Sequence, residues 1–293
     1  MTSPRYLRGL LAASIALLIS GCQSLVLGYA NQGVRPADAS VVYDTERDLS
    51  LDIYKPKDST TPAPVVVFFY GGSWKTGERA QYRFVGERLA ESGVLAIVAD
   101  YRTYPRTTFP GFVEDGARAV AWIHRHAADY GGDPNRVFVA GHSAGAQIAA
   151  LIGTDASYLA AHGMKPSELA GVIGLSGPYD FVINGGYEQV FGPREQWSRA
   201  QAVNFLGGDE PPFLLIHGTG DRVVEARDSQ ELADKLKNNG GKAELVWLAE
   251  AGHIAPLAAL HDPARDPAVM QAIAAFMQEK EAETASIPPH GGN

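Results

Sequence analysis

The chain has 293 residues, 45% apolar and 20% charged, which is enough to bury one sizeable α/β core. Its 25 Lys and Arg against 33 Asp and Glu give a formal charge of −8, with no basic block. That balance argues against a nucleic-acid partner.

At the N-terminus, Arg5 and Arg8 precede an apolar run from Leu10 to Ile19. The run is too short to span a bilayer and suits a secretory signal peptide over residues 1–21. It ends in Ile19-Ser20-Gly21-Cys22, and Cys22 is the only cysteine, so it has no intramolecular disulfide partner. This ending resembles the lipobox of bacterial lipoproteins. The resemblance implies an exported chain held at the cell envelope by lipid on Cys22, and Gln23 points to the outer membrane if the source has one. The plainer alternative is an ordinary secretory signal with an incidental cysteine.

Residues 22–40 read as a tether. Val41–Tyr43 and Leu49–Tyr54 alternate apolar and polar side chains, as half-buried antiparallel strands do. The continuous apolar runs Val65–Phe69, Val94–Ala99, Val137–Ala140, Gly171–Leu175, Phe213–Ile216 and Ala243–Leu248 read as strands covered on both faces. Helical periodicity marks Arg79–Glu91, Phe112–Ala127, Ala144–Ile152, Glu225–Asn238 and Pro267–Glu281. Strands alternating with helices predict an α/β fold with a mainly parallel sheet over 41–282. Residues 157–166 and 179–204 are irregular and form a candidate lid, and 283–293 read as a disordered tail.

The sequence Gly141-His142-Ser143-Ala144-Gly145 joins an apolar strand to a helix, the setting of a nucleophile elbow. The glycines are needed because a side chain two residues before or after the serine would collide with a neighbouring strand or helix. A serine hydroxyl needs a base, which a third group must orient. Asp221 and His253 each follow a strand, in the expected order after Ser143. Asp221 also reads as a helix-capping turn aspartate, and His253 as a loop histidine without a role. Glu250 and Asp262 are weaker acids; His142, His217 and His261 are poorly placed bases. Acyl transfer also needs N–H donors for an oxyanion. Ala144 supplies one, and Gly71 or Gly72 in Tyr70-Gly-Gly-Ser-Trp74, directly after the first long apolar strand, supplies the other.

Tyr70–Trp74, Asp100-Tyr-Arg-Thr-Tyr-Pro105, Tyr130-Gly-Gly-Asp-Pro-Asn-Arg136, Gly-His-Ser-Ala-Gly and Ser176-Gly-Pro-Tyr-Asp180 together resemble the carboxylesterase branch of α/β-hydrolases related to hormone-sensitive lipase. The pattern is similar to isoprenylcysteine methylesterases and kynurenine formamidase-like esterases. This chain has Tyr70 where that branch usually has histidine, so the bracing of the loop must pass to the phenol or be lost. Trp74, Tyr101 and Tyr179 are candidate pocket residues, with buried core as the alternative. Arg102 and Asp133 read as braces of loops around the elbow.

No cofactor and no metal are expected. His124 and His126 do not share a helix face, and the glycine-rich turns lack a Walker lysine and G-x-G-x-x-G. The expectation is a serine carboxylic-ester hydrolase acting on a small-molecule ester. An amidase or aryl-formamidase on the same residues is the nearest alternative, and a non-catalytic lipid- or glycan-binding lipoprotein is an alternative of another class.

Overall fold

The computed structural model describes residues 27–57 and 60–285. Within them one sheet contains β1 (Ala39–Asp44), β2 (Leu49–Tyr54), β3 (Ala63–Phe69), β4 (Leu95–Ala99), β5 (Gly132–His142), β6 (Gly171–Leu175), β7 (Phe213–Gly218) and β8 (Ala243–Leu248). The helices are α1 (Arg83–Glu91), α2 (Gly111–His126), α3 (Ala144–Thr154), α4 (Ala156–Ala160), α5 (Glu188–Phe191), α6 (Arg227–Asn238), α7 (Ala255–His261) and α8 (Pro267–Ala285). The strand order is β1-β2-β4-β3-β5-β6-β7-β8. Pairing is parallel from β4 to β8 and antiparallel at β1–β2 and β2–β4.

Continuous apolar runs become central strands because both faces of the sheet are covered. Every residue of β4 and β6 is buried, whereas β1 at the edge alternates before Tyr43. Successive side chains reach opposite layers. Phe68 meets Tyr82 on the face of α1, while Phe69 approaches Gly116 of α2, beside Ile148 and Ile152 of α3.

The order β4-β3-β5 places a topological switch between β3 and β5, since the chain leaves β3 toward one face and β5 toward the other. Crevices in α/β sheets open at the carboxyl ends of strands at such a point. The Gly71-Gly72 turn follows β3 there, and Ser143 follows β5.

Several expectations are corrected. The tether assigned to 22–40 is docked from Leu27 onward. Leu27 and Ala30 are buried, the Asn31 amide donates to Gln81 O at 2.8 Å, and its oxygen accepts the Phe84 N–H at 3.1 Å. The helix expected from Arg79 starts at Arg83; residues 79–82 form a tighter turn, because Asp100 holds both the backbone N–H and the guanidinium of Arg79. The irregular stretch 157–166 overlaps α4, and the final helix reaches Ala285, into the expected tail. Residues 1–26, including the signal segment and Cys22, and 286–293 lie outside the described residues.

Candidate active site

Ser143 sits between β5 and α3 with φ 55° and ψ −119°, a conformation that costs a non-glycine residue about 1–3 kcal/mol. Its surroundings enforce it. A Cβ on Gly141 would lie 2.2 Å from Gly145 O, and one on Gly145 would lie 2.1 Å from Phe69 O. The first clash is with the helix, the second with β3. The Ser143 N–H donates to Leu175 O at the end of β6, at 2.9 Å.

The structure brings Ser143, His253 and Asp221 together across 110 residues of sequence. His253 Nε2 lies 2.9 Å from Ser143 Oγ, and His253 Nδ1 lies 2.7 Å from Asp221 Oδ2. An ionised carboxylate can only accept, so Nδ1–H donates to Asp221 and Nε2 is left to accept the serine proton. Burial raises the proton affinity of Asp221, but hydrogen bonds from His217, His253 and the N–H groups of Val224 and Val223 outweigh it. The acid is held far below the usual carboxylate range.

Two further histidines adjoin this group. His142 donates its Nε2–H to His253 O at 3.0 Å, with its ring 4.9 Å from the His253 ring. Burial, and then the neighbouring His253, push the His142 imidazole down to about 3, so it is neutral throughout the working pH range. His217 Nε2 lies 3.1 Å from Asp221 Oδ2, on the same oxygen that serves His253.

The turn after β3 abuts the elbow. A Cβ on Gly71 would meet Ser143 Cβ at 3.1 Å, and one on Gly72, at φ +138°, would meet Thr76 O at 2.1 Å. Tyr70 braces this turn from beneath. Its hydroxyl donates to Asp100 Oδ1 at 3.1 Å, and its ring stacks between Tyr82 and Tyr101 at 5.5 and 4.6 Å. Tyr101 in turn donates to Tyr70 O at 2.7 Å. The bracing does pass to the phenol.

A cleft of about 290 Å³ opens over Ser143, walled by Ser73, Trp74, Pro178, Phe181 and Tyr187. Val182 and Val223 stand at its mouth, 67% and 71% exposed. Trp74 stacks on Phe181 at 5.4 Å and donates through Nε1 to Gln147 at 3.1 Å, while the Gln147 amide donates to Ala200 O at 2.8 Å.

Of the three expected pocket aromatics, Trp74 alone lines the cleft. Tyr101 is buried under the β3 turn, and Tyr179 is buried with its hydroxyl against Gly174 and Gly177. Of the candidate lid, residues 181–187 border the cleft, whereas 157–166 does not. Arg102 braces as expected, pairing twice with buried Asp115 at 2.8 Å. Asp133 instead lies at the far end of β5, where it accepts the Asn135 N–H at 2.9 Å.

Sequence reasoning missed Gln147 and the support given by His142 and His217. A lone polar side chain inside the apolar stretch Ala144–Ile152 was the available signal for Gln147. Among the described residues, no group of three or more His, Cys, Asp or Glu could hold a metal, and no helix is long and apolar enough to cross a membrane.

The BD-FAE family model matches residues 51–236. The isoprenylcysteine alpha-carbonyl methylesterase of Arabidopsis thaliana is 30% identical over 272 residues, covering 85% of this chain and 64% of that protein. The esterase LipC of Mycobacterium tuberculosis is 31% identical over 261 residues, covering 82% and 64%. The chain thus spans less than two thirds of the length of these curated relatives. Among solved structures, a thermophilic esterase from Thermogutta terrifontis with bound propionate superposes with a TM-score of 0.71 at 26% identity, covering 88% of this chain and 98% of that one.

Proposed function

The chain belongs to the BD-FAE family and has the α/β-hydrolase fold, and from that premise we propose that it is a serine carboxylic-ester hydrolase. The observation carrying this reading is the continuous hydrogen-bonded line from Ser143 through His253 to Asp221, at the floor of a cleft. In it, Ser143 attacks the ester carbonyl while His253 takes its proton. Asp221 fixes the imidazole tautomer and stabilises the imidazolium. The N–H groups of Ala144 and of Gly71 or Gly72 receive the oxyanion. His253 then protonates the departing alcohol and activates the water that releases the acid. The cleft volume suits small to medium esters. Similarity to proteins named esterase and methylesterase supports the substrate class.

The same reading places the enzyme at the cell envelope, exported and held by lipid on Cys22; the support is the sequence of the first 22 residues.

The test is hydrolysis of nitrophenyl esters of graded acyl length by wild type and Ser143→Ala. We expect the variant to lose at least about 10³-fold in kcat/KM, because a nucleophile removed from a coupled triad disables the whole unit. Full turnover by Ser143→Ala would overturn the assignment.

A further inference from the structure

Asp221 carries more hydrogen bonds than orientation of one histidine requires. Its Oδ1 accepts the N–H groups of Val223 and Val224 at 2.8 and 3.0 Å, and its Oδ2 accepts His253 and His217 at 2.7 and 3.1 Å. Two oxygens offer about four lone-pair sites, so the carboxylate is saturated. Every neighbour must donate. His217 therefore holds its proton on Nε2, and Nδ1 is left as an acceptor. The hydroxyl of Ser229 lies 2.7 Å from that Nδ1 and donates to it. Both His217 and Ser229 are fully buried. The result is a second Ser–His arm, Ser229 to His217, meeting the first on one oxygen of Asp221.

From this geometry we propose that His217, set by Ser229, is a positioning residue that tunes the basicity of Asp221 and thereby the pH at which His253 becomes a competent base. The inference rests on the assignment of Ser143, His253 and Asp221 above. A hydrogen bond donated into Oδ2 withdraws charge from the oxygen that stabilises the His253 imidazolium. Less charge there means a less favoured imidazolium, so His253 stays neutral to lower pH. The Ser229 hydroxyl polarises the His217 ring and makes its Nε2–H the stronger donor, as chained hydrogen bonds do.

Ser229 is no second nucleophile, because it is sealed from solvent on α6. The titratable groups facing His253 are His142 from β5 and Asp221 from the loop after β7; His217 faces Asp221 from β7, with Trp247 of β8 beside it. His142 is neutral over the range concerned. Asp228, whose carboxyl lines the cleft and is pushed up to about 6 by burial, is unchanged in every variant tested, so a shift of the acidic limb between wild type and variant reports on His253 and its carboxylate.

The experiment measures kcat/KM against pH for a nitrophenyl ester with full-length wild type, His217→Leu, His217→Gln and Ser229→Ala, each checked for a cooperative thermal transition. Leucine removes the donor at similar volume, whereas glutamine keeps an N–H within reach of Asp221. Because the lost donor returns charge to the oxygen that faces His253, the acidic-limb midpoint of His217→Leu should rise by about 0.5–1 pH unit, with a plateau loss of about tenfold at most. His217→Gln should restore the wild-type midpoint. Ser229→Ala should move it the same way by less, and that variant decides the matter if His217→Leu does not fold. An unmoved midpoint in the folded variants would overturn the proposal, as would a glutamine variant that behaves like leucine. Retained turnover by Ser143→Ala is a different failure, since it removes the reading on which this one rests.

Discussion

At the scale of single residues, the elbow is a packing problem before it is a catalytic one. Ser143 is raised out of the sheet only because α3 approaches β3 closely enough to leave no room for a methyl group at Gly145. The obstacle is the backbone carbonyl of Phe69, which cannot turn aside as a side-chain tip could. Gly145→Ala should therefore push α3 off the sheet and displace the serine hydroxyl. Displacements of about 1 Å cost about 10²-fold in rate, so we expect a loss of that order in kcat/KM together with a lower Tm. Gly252 is the control. It adjoins His253, yet a Cβ there meets nothing within 4 Å, so Gly252→Ala should leave ester turnover nearly unchanged. Equal losses in the two variants would refute this account. The glycine pattern was legible in sequence because it repeats a known steric requirement. His217 was not, since its value lies in an oxygen shared with His253, and that sharing is visible only in three dimensions.

At the scale of elements, the loop 176–181 is joined to the start of α6 by Asp228. This carboxyl is buried beneath the loop, and burial pushes it up to about 6 despite hydrogen bonds from the N–H groups of Asp180 and Tyr179. An acid whose folded pKa lies above its unfolded value near 4 weakens the fold when ionised. Its cost is absent below pH 4, grows between pH 4 and 6, and is fully present above pH 6. Asp228→Asn carries no such dependence. The Tm difference between variant and wild type should thus shift in favour of the variant from pH 4 to pH 7.5. The full shift is about 3 kcal/mol at most, a few degrees for a chain of this size. Parallel pH–Tm curves would show that Asp228 is not strained. Element identity was mostly readable, since periods of 2 and 3.6 follow from how strands and helices expose their faces. The start of α1 was not, because Asp100 from the end of β4 captures Arg79 through a contact that leaves no local trace.

At the scale of the whole molecule, the docked segment from Leu27 bears on the proposed anchor. Four residues separate Cys22 from Leu27, a reach of at most about 17 Å. Lipid on Cys22 would therefore keep the folded domain close to the bilayer, on the side where the segment packs beside residues 79–84 and, through Tyr29, against His261. Metabolic palmitate should label the full chain and not Cys22→Ala, and label persisting in the variant would remove the anchor. The sequence by itself determined the fold class, the order of the strands and of the five longest helices along the chain, and the candidates Ser143, Asp221 and His253, because periodicity and steric motifs are local properties. Only the tertiary structure decided the strand order, the docking of residues 27–38, and which aromatics line the cleft. Tyr101 and Tyr179 have the same composition signal as Trp74, yet they lie beneath the loops that Trp74 stands above. Which side of a loop a ring occupies depends on partners dozens of residues away, such as Gln147 for Trp74 and Tyr70 for Tyr101. Those contacts arise only once the sheet has brought distant segments together.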